Sequence, residues 1–532
     1  MTSVSLADLP TEVLALIFSN FCLHCCGEHD QPSDIGTVQQ HQEQRFKQLG
    51  RKHQKEDEKS WYSLDRHALF SLCLVSKRFQ LIAQPILYHE FVLGHGDSSA
   101  SWKYDWQDRI TLFMRTVADR RDLALRVQRV SIQAFLFCPG SQEEGRNLKP
   151  FSVAEAYAVL NYCANALGID LSMAWRQRIS ELANDDRPTS RLARAILVLV
   201  CNGDVSSDEE LLELTFRHIW NDGLAWLATE MVTMLIAQLP NVQHLSVEST
   251  FNWENNHPTI RSITPSALAA LDVSMLSVKT LDLSIRAEPF LELAPRLECL
   301  NIFLRAMTSP IPPMPSLKVL RVSSREMSKA EFESLLSACT GHLHTFVYEA
   351  GTHHFPPAPL TVGRGRNNFR LADAVRSLRR HRESLRSLHL DLSAQDVFEF
   401  STFGDHGLET SLQDFPVLEN LLISSCTIPI PADPAKYHFD SLRQHLPSSI
   451  VSLYLPHGQT EDHIDLKKEL LRLAGRKMLH PGQFPSLRRI MCPDTHRYSD
   501  TTVEDMLAAV DVEFGYGDWP RCRFTELEEM YP

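Results

Sequence analysis

The sequence has no long apolar run. Its longest uninterrupted apolar stretch extends from Ala195 to Cys201, whereas a helix that crosses a bilayer needs about 20 such residues. The N-terminus also lacks a basic segment and a small-residue cleavage site, so we expect no secretory signal peptide. These absences predict a protein of the cytoplasm or the nucleus that does not enter the membrane.

Basic residues are outnumbered by acidic ones, 53 to 66. The net charge over 532 residues is −13, which argues against a general nucleic-acid-binding protein. The twelve cysteines are scattered along the chain without the spacing of a disulfide framework. We therefore expect reduced thiols, which fit a reducing compartment.

Catalytic signatures are missing as well. The chain has no phosphate-binding loop and no GxGxxG, GxSxG or HExxH motif. An HxE occurs at His41 and Glu43, but the PCxxC of zinc deaminases does not follow. We predict that the chain is not an enzyme and that it uses no cofactor.

One cysteine pair has a spacing that zinc sites use. In "CLHCCGEH", Cys22 and Cys25 form a CxxC. Structural zinc sites normally combine two such pairs, and no second CxxC or HxxxH follows. We therefore interpret the motif as the end of a helix that leads into a loop, and we predict no metal site.

Two N-terminal segments have helical spacing of apolar residues. The first covers residues 9–21, with Pro10 in its first turn. The second, in "HALFSLCLVSKRFQLIAQPILYHEFVL", is expected to end at Pro85. Between them, residues 39–59 are polar, and we expect a flexible loop or a frayed helix there. Residues 152–239 show further helical patterns.

After Pro240 a short strand pattern recurs. An apolar residue is followed by two more at three and five positions, as in "RLECLNIFL" and "SLKVLRVSS". Such units bury their faces only by stacking, which predicts a repeat array with parallel strands. The positions between the buried ones would face a partner. The first apolar positions are Val242, Val278, Leu297, Leu317, Leu343, Leu385, Leu418, Ile450 and Leu487. The "VQRVSIQAF" stretch at Val127 is a candidate first, detached strand unit.

The two N-terminal segments together resemble an F-box. The family pattern is LPxE[LV]LxxI, then LxxVS[RK]xF, then PxLY. Its first part is matched by Leu9, Pro10, Glu12, Val13, Leu14 and Ile17. Its later parts are matched by Leu72, Val75, Ser76, Lys77, Phe79, Pro85, Leu87 and Tyr88. Family members join the halves by a short loop, whereas about forty residues intervene here. The repeats resemble the irregular leucine-rich arrays that follow many fungal-type F-boxes.

This resemblance implies a function. The F-box would dock on the Skp adaptor and, through it, on a cullin, and the repeats would hold a protein substrate for ubiquitination. The resemblance implies that the adaptor is bound by Leu9, Pro10, Glu12, Val13, Leu14, Ile17, Leu72, Val75, Ser76 and Phe79. The alternatives are a leucine-rich-repeat scaffold without ligase association and an enzyme whose site is hidden in the repeats. The missing catalytic motifs count against the enzyme.

The predicted architecture is α/β. It comprises an F-box over residues 1–93 with a polar insert at about 24–66, a mostly helical linker subdomain over 94–238, and a leucine-rich-repeat-like solenoid with a parallel sheet over 239–532. Within the array, six arginines form a candidate basic patch for an acidic partner: Arg364, Arg366, Arg370, Arg376, Arg379 and Arg380. A solvated helix face is the interpretation that we favour for them.

Overall fold

The fold is that of a computed structural model. It describes residues 6–26, 61–92, 106–132, 153–182, 227–247, 251–252, 257–258, 263, 265–283, 288–303, 311–323, 327–349, 369, 371–392, 411–423, 442, 445–455, 466–492, 498 and 500–517. The chain divides into two compact units. Among the described residues, the first unit extends to Leu297 and the second begins at Glu298.

The first unit opens with a helical module. Its helices are α1 (Thr11–Ser19), α2 (Leu23–Cys26), α3 (Trp61–Val75) and α4 (Lys77–Leu87). The first predicted helix is confirmed, in a shorter form, because Pro10 precedes it as the N-cap. The predicted polar insert is bounded by helix on both sides, so its ends at 24–26 and 61–66 are helical. Residues 39–59 lie outside the described residues.

The second predicted helix is in fact two helices, and the expected stop at Pro85 is wrong. The chain breaks at Ser76, whose side-chain oxygen accepts the Phe79 N–H at 3.2 Å and caps α4. Helix α4 continues through Pro85 to Leu87. A proline this close to the end removes a single hydrogen bond, and the N–H of Tyr88 still bonds the Gln84 carbonyl at 3.1 Å.

The rest of the first unit combines strands, most of them parallel, with helices. The strands are β1 (Glu90–Val92), β2 (Arg129–Ile132), β3 (His244–Val247), β4 (Phe251–Asn252), β5 (His257–Pro258) and β6 (Thr280–Leu283). The helices are α5 (Trp106–Asp119), α6 (Arg121–Ala124), α7 (Val153–Leu167), α8 (Leu171–Leu182), the helical residues 227–238, α9 (Pro265–Ala270) and α10 (Glu288–Leu293). The parallel order is β1-β2-β3-β6, and β4 pairs with β5 in antiparallel fashion.

The predicted strand near Val127 exists but is not detached. It is β2, and it pairs with β1 on one side and β3 on the other. The repeat-like sheet therefore begins at Glu90, directly after α4. The sequence pattern predicts no strand over Glu90–Val92, which follow Pro85, the expected end of the second helix.

The second unit alternates strands with helices or loops. Its strands are β7 (Cys299–Phe303), β8 (Val319–Ser323), β9 (Thr345–Glu349), β10 (Ser387–Asp391), β11 (Asn420–Ile423), β12 (Ser452–Tyr454), β13 (Arg489–Cys492) and β14 (Glu513–Tyr516). Its helices include α11 (Lys329–Ala338), α12 (Leu371–Leu378), α13 (Leu466–Leu479) and α14 (Thr502–Ala508). The strands pair in parallel and in chain order. This is a leucine-rich-repeat-like solenoid, and the predicted α/β fold class is confirmed.

A proline turn opens many of the units. The carbonyl of the residue before the proline accepts a hydrogen bond from the N–H of the first buried residue of the strand pattern. The carbonyl of Ala294 accepts the Leu297 N–H at 3.1 Å, and that of Phe484 accepts the Leu487 N–H at 3.2 Å. Proline suits the second position of such a turn because its φ angle is already fixed. The first apolar residue of every strand unit predicted after Pro240 is buried in the structure, and a strand follows it in each case. Each of these predicted strand units is therefore confirmed.

Within the second unit, a shared backbone carbonyl joins a strand to the next strand of the sheet. The carbonyl of Glu298 accepts the N–H groups of Lys318 at 2.8 Å and Val319 at 3.0 Å. The carbonyl of Lys318 then accepts those of His344 and Thr345 in the next unit. This rung recurs along the second unit and fixes the register of each strand against its neighbour.

Candidate functional site

The helical module encloses a small core of its own. The buried residues are Leu14, Phe18, Cys22, Leu69, Phe79, Ile82, Ala83 and Ile86. The rings of Phe18 and Phe79 meet edge to face, with their centroids 5.5 Å apart. This core packs α1 against α3 and α4, so the apolar face of the first helix is covered in part by the chain itself.

The predicted adaptor-binding residues fall into two groups. Leu14 and Phe79 are buried in the core of the module, and their side chains hold the helices together. The remaining residues are exposed or half-buried: Leu9, Pro10, Glu12, Val13, Ile17, Leu72, Val75 and Ser76. Only this second group lies where another protein can reach it.

Several apolar side chains of the module stay exposed above the core. We call them the exposed apolar set: Leu6, Val13, Leu16, Leu64, Phe70, Leu74, Val75 and Leu81. The most exposed are Leu81, at 77%, Leu74, at 72%, and Leu16, at 70%. Leu74, Val75 and Leu81 flank the break between α3 and α4. These exposed apolar residues make the module the candidate for an interaction surface.

Arg78 contributes a contact that the sequence pattern did not predict. Its guanidinium donates to the carbonyls of Ala7 and Leu9, each at 2.5 Å. These bonds fasten the segment before α1 to the first turn of α4. The Leu9–Pro10 pair is thereby held near the first turn of α4, on the C-terminal side of the α3–α4 break.

A second group of side chains converges at the end of the module. We call it the Cys–His cluster, which consists of Cys22, His24, Cys25 and His89; one ligand atom from each lies within 4.8 Å of the others. The sulfur of Cys25 is 3.2 Å from Nδ1 of His89 and 3.8 Å from Nδ1 of His24. The sulfur of Cys22 is 3.9 Å from Nδ1 of His89. The sequence singled out the CxxC but missed His89.

The two thiols of the cluster have opposite pKa shifts. A hydrogen bond from Cys22 to the sulfur of Cys25, together with burial, raises the pKa of Cys22 to about 12. The same hydrogen bond lowers the pKa of Cys25 to about 7. Both are free thiols, with Cys22 buried and Cys25 exposed.

The predicted basic patch lies partly on helix α12. Leu371, Val375 and Leu378 are buried there, whereas Arg376 is exposed and lies 3.5 Å from Asp373. This is the arrangement that a solvated helix face produces. Arg379 is 4.0 Å from Asp414, and Arg380 donates to the Leu336 carbonyl at 3.4 Å. Arg364, Arg366 and Arg370 lie outside the described residues.

The strand positions expected to face a partner are only partly accessible. Lys318 is exposed and Glu298 is half-buried, and they form an ion pair at 2.6 Å. Asn301 and Val319 are instead buried, which corrects the expectation that these positions are free. Arg321 is half-buried and donates to the Asn301 side chain at 3.3 Å.

Buried polar residues continue along this sheet. His389 is 1% exposed, and its Nδ1 is 3.9 Å from the Glu349 carboxylate. Burial, and then the positive charge of Arg321, hold the pKa of His389 well below its ordinary value. In the first unit, His244 and Asp282 make a similar buried pair at 2.7 Å.

No protein-family model and no curated protein matches the sequence. A solved protein of Bacteroides fragilis, a structural-genomics target, is 12% identical over 55% of this chain and 62% of its own, with a TM-score of 0.25. The crystal structure of the TLR13–ssRNA13 complex is 15% identical over 53% of this chain and 40% of that chain, with a TM-score of 0.27.

This chain therefore spans less than two thirds of the length of either solved protein. The leucine-rich-repeat-like fold is assigned from the strand pairing and the burial pattern of the chain itself. Among the helices that the structure describes, none has the length and hydrophobicity needed to cross a bilayer.

Proposed function

We propose that the chain is the substrate-recognition subunit of a Skp–cullin–F-box ubiquitin ligase. The observation that carries this proposal is the exposed apolar set on and just before α1 and on α3 and α4, which remains exposed although the module has a core of its own. The sequence resemblance to an F-box falls on the same helices. In this proposal the chain acts in the cytoplasm or the nucleus.

The structure changes which residues we assign to the docking surface. The exposed or half-buried residues of the predicted set stay in it: Leu9, Pro10, Glu12, Val13, Ile17, Leu72, Val75 and Ser76. Leu14 and Phe79 support the surface from below. We add Leu74 and Leu81, because these two are among the most exposed apolar residues of the module.

The array would supply the second half of the function. In the proposal its parallel strands and the loops between them hold a protein substrate. The chain itself performs no chemistry, because the reactive cysteine belongs to the conjugating enzyme. Its contribution is proximity, which raises the effective concentration of the substrate lysine near that cysteine. The acidic net charge argues against a nucleic acid as the ligand.

A surface substitution tests the docking. Replacing Val75 and Leu81 together by Asp places charge where the adaptor would bury apolar groups. Each aliphatic anchor is worth about 1.5–3 kcal/mol when buried, so binding of the purified Skp adaptor should weaken at least about tenfold, which corresponds to about 1.4 kcal/mol. The measurement is calorimetry with the full chain.

The matched control is Leu479→Asp. Leu479 is also an exposed leucine on a helix, at 73%, but it lies on α13 in the second unit. This control should bind the adaptor as the unchanged chain does. If a folded Val75→Asp, Leu81→Asp chain binds the adaptor as tightly as the control, the ligase proposal fails.

The alternative function is a repeat-based interaction scaffold without ligase association. It is favoured by the same parallel array and needs no adaptor. Affinity purification followed by mass spectrometry separates the two. In the ligase proposal, Skp and cullin are lost together from the Val75→Asp, Leu81→Asp chain while array-bound proteins remain. The scaffold alternative predicts that neither Skp nor cullin co-purifies with the unchanged chain.

A further inference from the structure

The Cys–His cluster has the composition of a structural zinc site. It offers two sulfurs and two imidazole nitrogens, a donor set that favours tetrahedral zinc. Two thiolates would neutralise the charge of Zn²⁺. The cluster lies in the first unit and shares no residue with the exposed apolar set that carries the proposed docking.

The distances approach those of a tetrahedral site. Zn–S and Zn–N bonds of about 2.3 and 2.0–2.1 Å place neighbouring ligand atoms about 3.3–3.8 Å apart. Three pairs in the cluster, those joining Cys25 to His89, Cys25 to His24 and Cys22 to His89, measure 3.2, 3.8 and 3.9 Å. The widest pair, at no more than 4.8 Å, would have to close by about one ångström.

The backbone holds the ligands from two sides. Cys22 follows α1, with its N–H bonded to the Ser19 carbonyl at 3.1 Å, and its own carbonyl accepts the Cys26 N–H at 3.0 Å. That single turn brings Cys25 beside Cys22. On the other side, the carbonyl of His89 accepts the N–H groups of Gln128 at 2.8 Å and Arg129 at 3.1 Å. His89 is thereby fixed where α4 gives way to β1.

A buried carboxylate joins the two sides. Glu90, which is 2% exposed, accepts the backbone N–H of His24 at 3.1 Å. The guanidinium of Arg66 lies 3.4 Å from the same carboxylate. His24 is therefore positioned by the residue that directly follows His89, so the four ligands are gathered before any ion arrives.

We propose that the Cys–His cluster binds one Zn²⁺ ion. Four protein ligands leave no open coordination position, so the site is structural and not catalytic. It ties the end of the α1–α2 segment to the α4–β1 junction, and so fastens the helical module to the first strand of the sheet.

The test uses the full chain, expressed with added zinc and purified without chelator. Elemental analysis should find about one zinc ion per chain. Cobalt exchanged into the chain should give the visible absorption of a tetrahedral ion and a thiolate-to-metal band in the near ultraviolet. Hydrogen exchange of residues 20–26 and 86–92 should rise about tenfold or more when a chelator removes the zinc.

Two matched pairs of variants locate the site. Cys25→Ser should lose the zinc, whereas Cys26→Ser, which alters the adjacent exposed thiol, should keep it. His89→Asn should lose the zinc, and His67→Asn, at an exposed position on α3, should keep it. Circular dichroism establishes that each variant is folded.

Three results would overturn the proposal. The first is that the chain without substitutions holds no more zinc than Cys25→Ser. The second is that the cobalt form shows no thiolate band. The third is that Cys22 and Cys25 form a disulfide in the freshly purified chain.

Discussion

Leu320 offers the sharpest test of the array. It is fully buried in β8, where it lies in register with Leu300 of β7 and Phe346 of β9, both of which are also fully buried. Replacing a buried leucine by alanine costs about 2–5 kcal/mol, against a total domain stability of about 5–15 kcal/mol. Leu320→Ala should therefore weaken the array without unfolding the chain, whereas Leu320→Asp would bury a charge and cost more.

Hydrogen exchange by mass spectrometry shows how far the damage spreads. In a repeat array each unit shares its burial only with its neighbours. Exchange in Leu320→Ala should therefore rise in β7, β8 and β9 together. Helices α1 and α4, which have a separate core, should keep their protection. Urea unfolding gives the size of the loss.

The control is Lys318→Ala, two residues away on the same strand unit. Lys318 is exposed, and its 2.6 Å ion pair with Glu298 is exposed in large part, so the loss should not exceed about 1 kcal/mol. A rise confined to β8 in Leu320→Ala would refute the stacking argument. So would simultaneous loss of protection in α1.

Four further outcomes are expected. Ser328→Ala removes half of the capping box of α11 and should lower the free energy of unfolding by about 1 kcal/mol in urea melts; no loss would contradict the cap. Gly341→Ala places a Cβ 2.0 Å from the Pro315 carbonyl oxygen and should cost about 1–3 kcal/mol, which a normal melting temperature would disprove. The pKa of His389 is lowered well below 6.5. Its contribution to the free energy of unfolding should therefore be fully present above about pH 6.5, and it should fall as the pH drops below that value, by up to about 1.4 kcal/mol per pH unit. His389→Gln should flatten that slope between about pH 7.5 and pH 5.5 in urea titrations, and an equal slope would contradict it. Replacing residues 27–60 by a short Gly-Ser linker should leave Skp affinity within a few-fold, and lost binding would show that the segment takes part in docking.

The strands were predictable because their signal is local. Each strand buries residues at fixed intervals of three and two, and a proline turn precedes many of them, so a short window of sequence is enough. The same local pattern did not predict β14, because its first position is not apolar. Its register places Phe514 and Tyr516 opposite Ile490 and Cys492, which leaves the polar Asp511 at the position where an apolar residue opens the other units.

The Cys–His cluster depends on tertiary structure and so could not be found from the sequence. Its CxxC is visible, but the fourth ligand, His89, is far away in the chain. Only the packing of α4 on α1 and the pairing of β1 with β2 bring it near Cys25. The structure shows that His89 directly precedes Glu90, a buried carboxylate in a strand. A charged residue at such a position needs a specific environment.

Helix α1 shows why the pattern predicted an apolar face but not its division. Its central residues, Leu14 to Phe18, are all apolar, and a helix that is apolar on every side requires partners on more than one side. Leu14 and Phe18 are buried against the module's own core, whereas Leu16 remains 70% exposed. Neither hydrophobic spacing nor the F-box pattern separates these roles, because both sides are equally apolar. Leu14 and Phe18 face the core that α3 and α4 share with α1, so in the ligase proposal the surface around Leu16 is the part of α1 that the adaptor would cover.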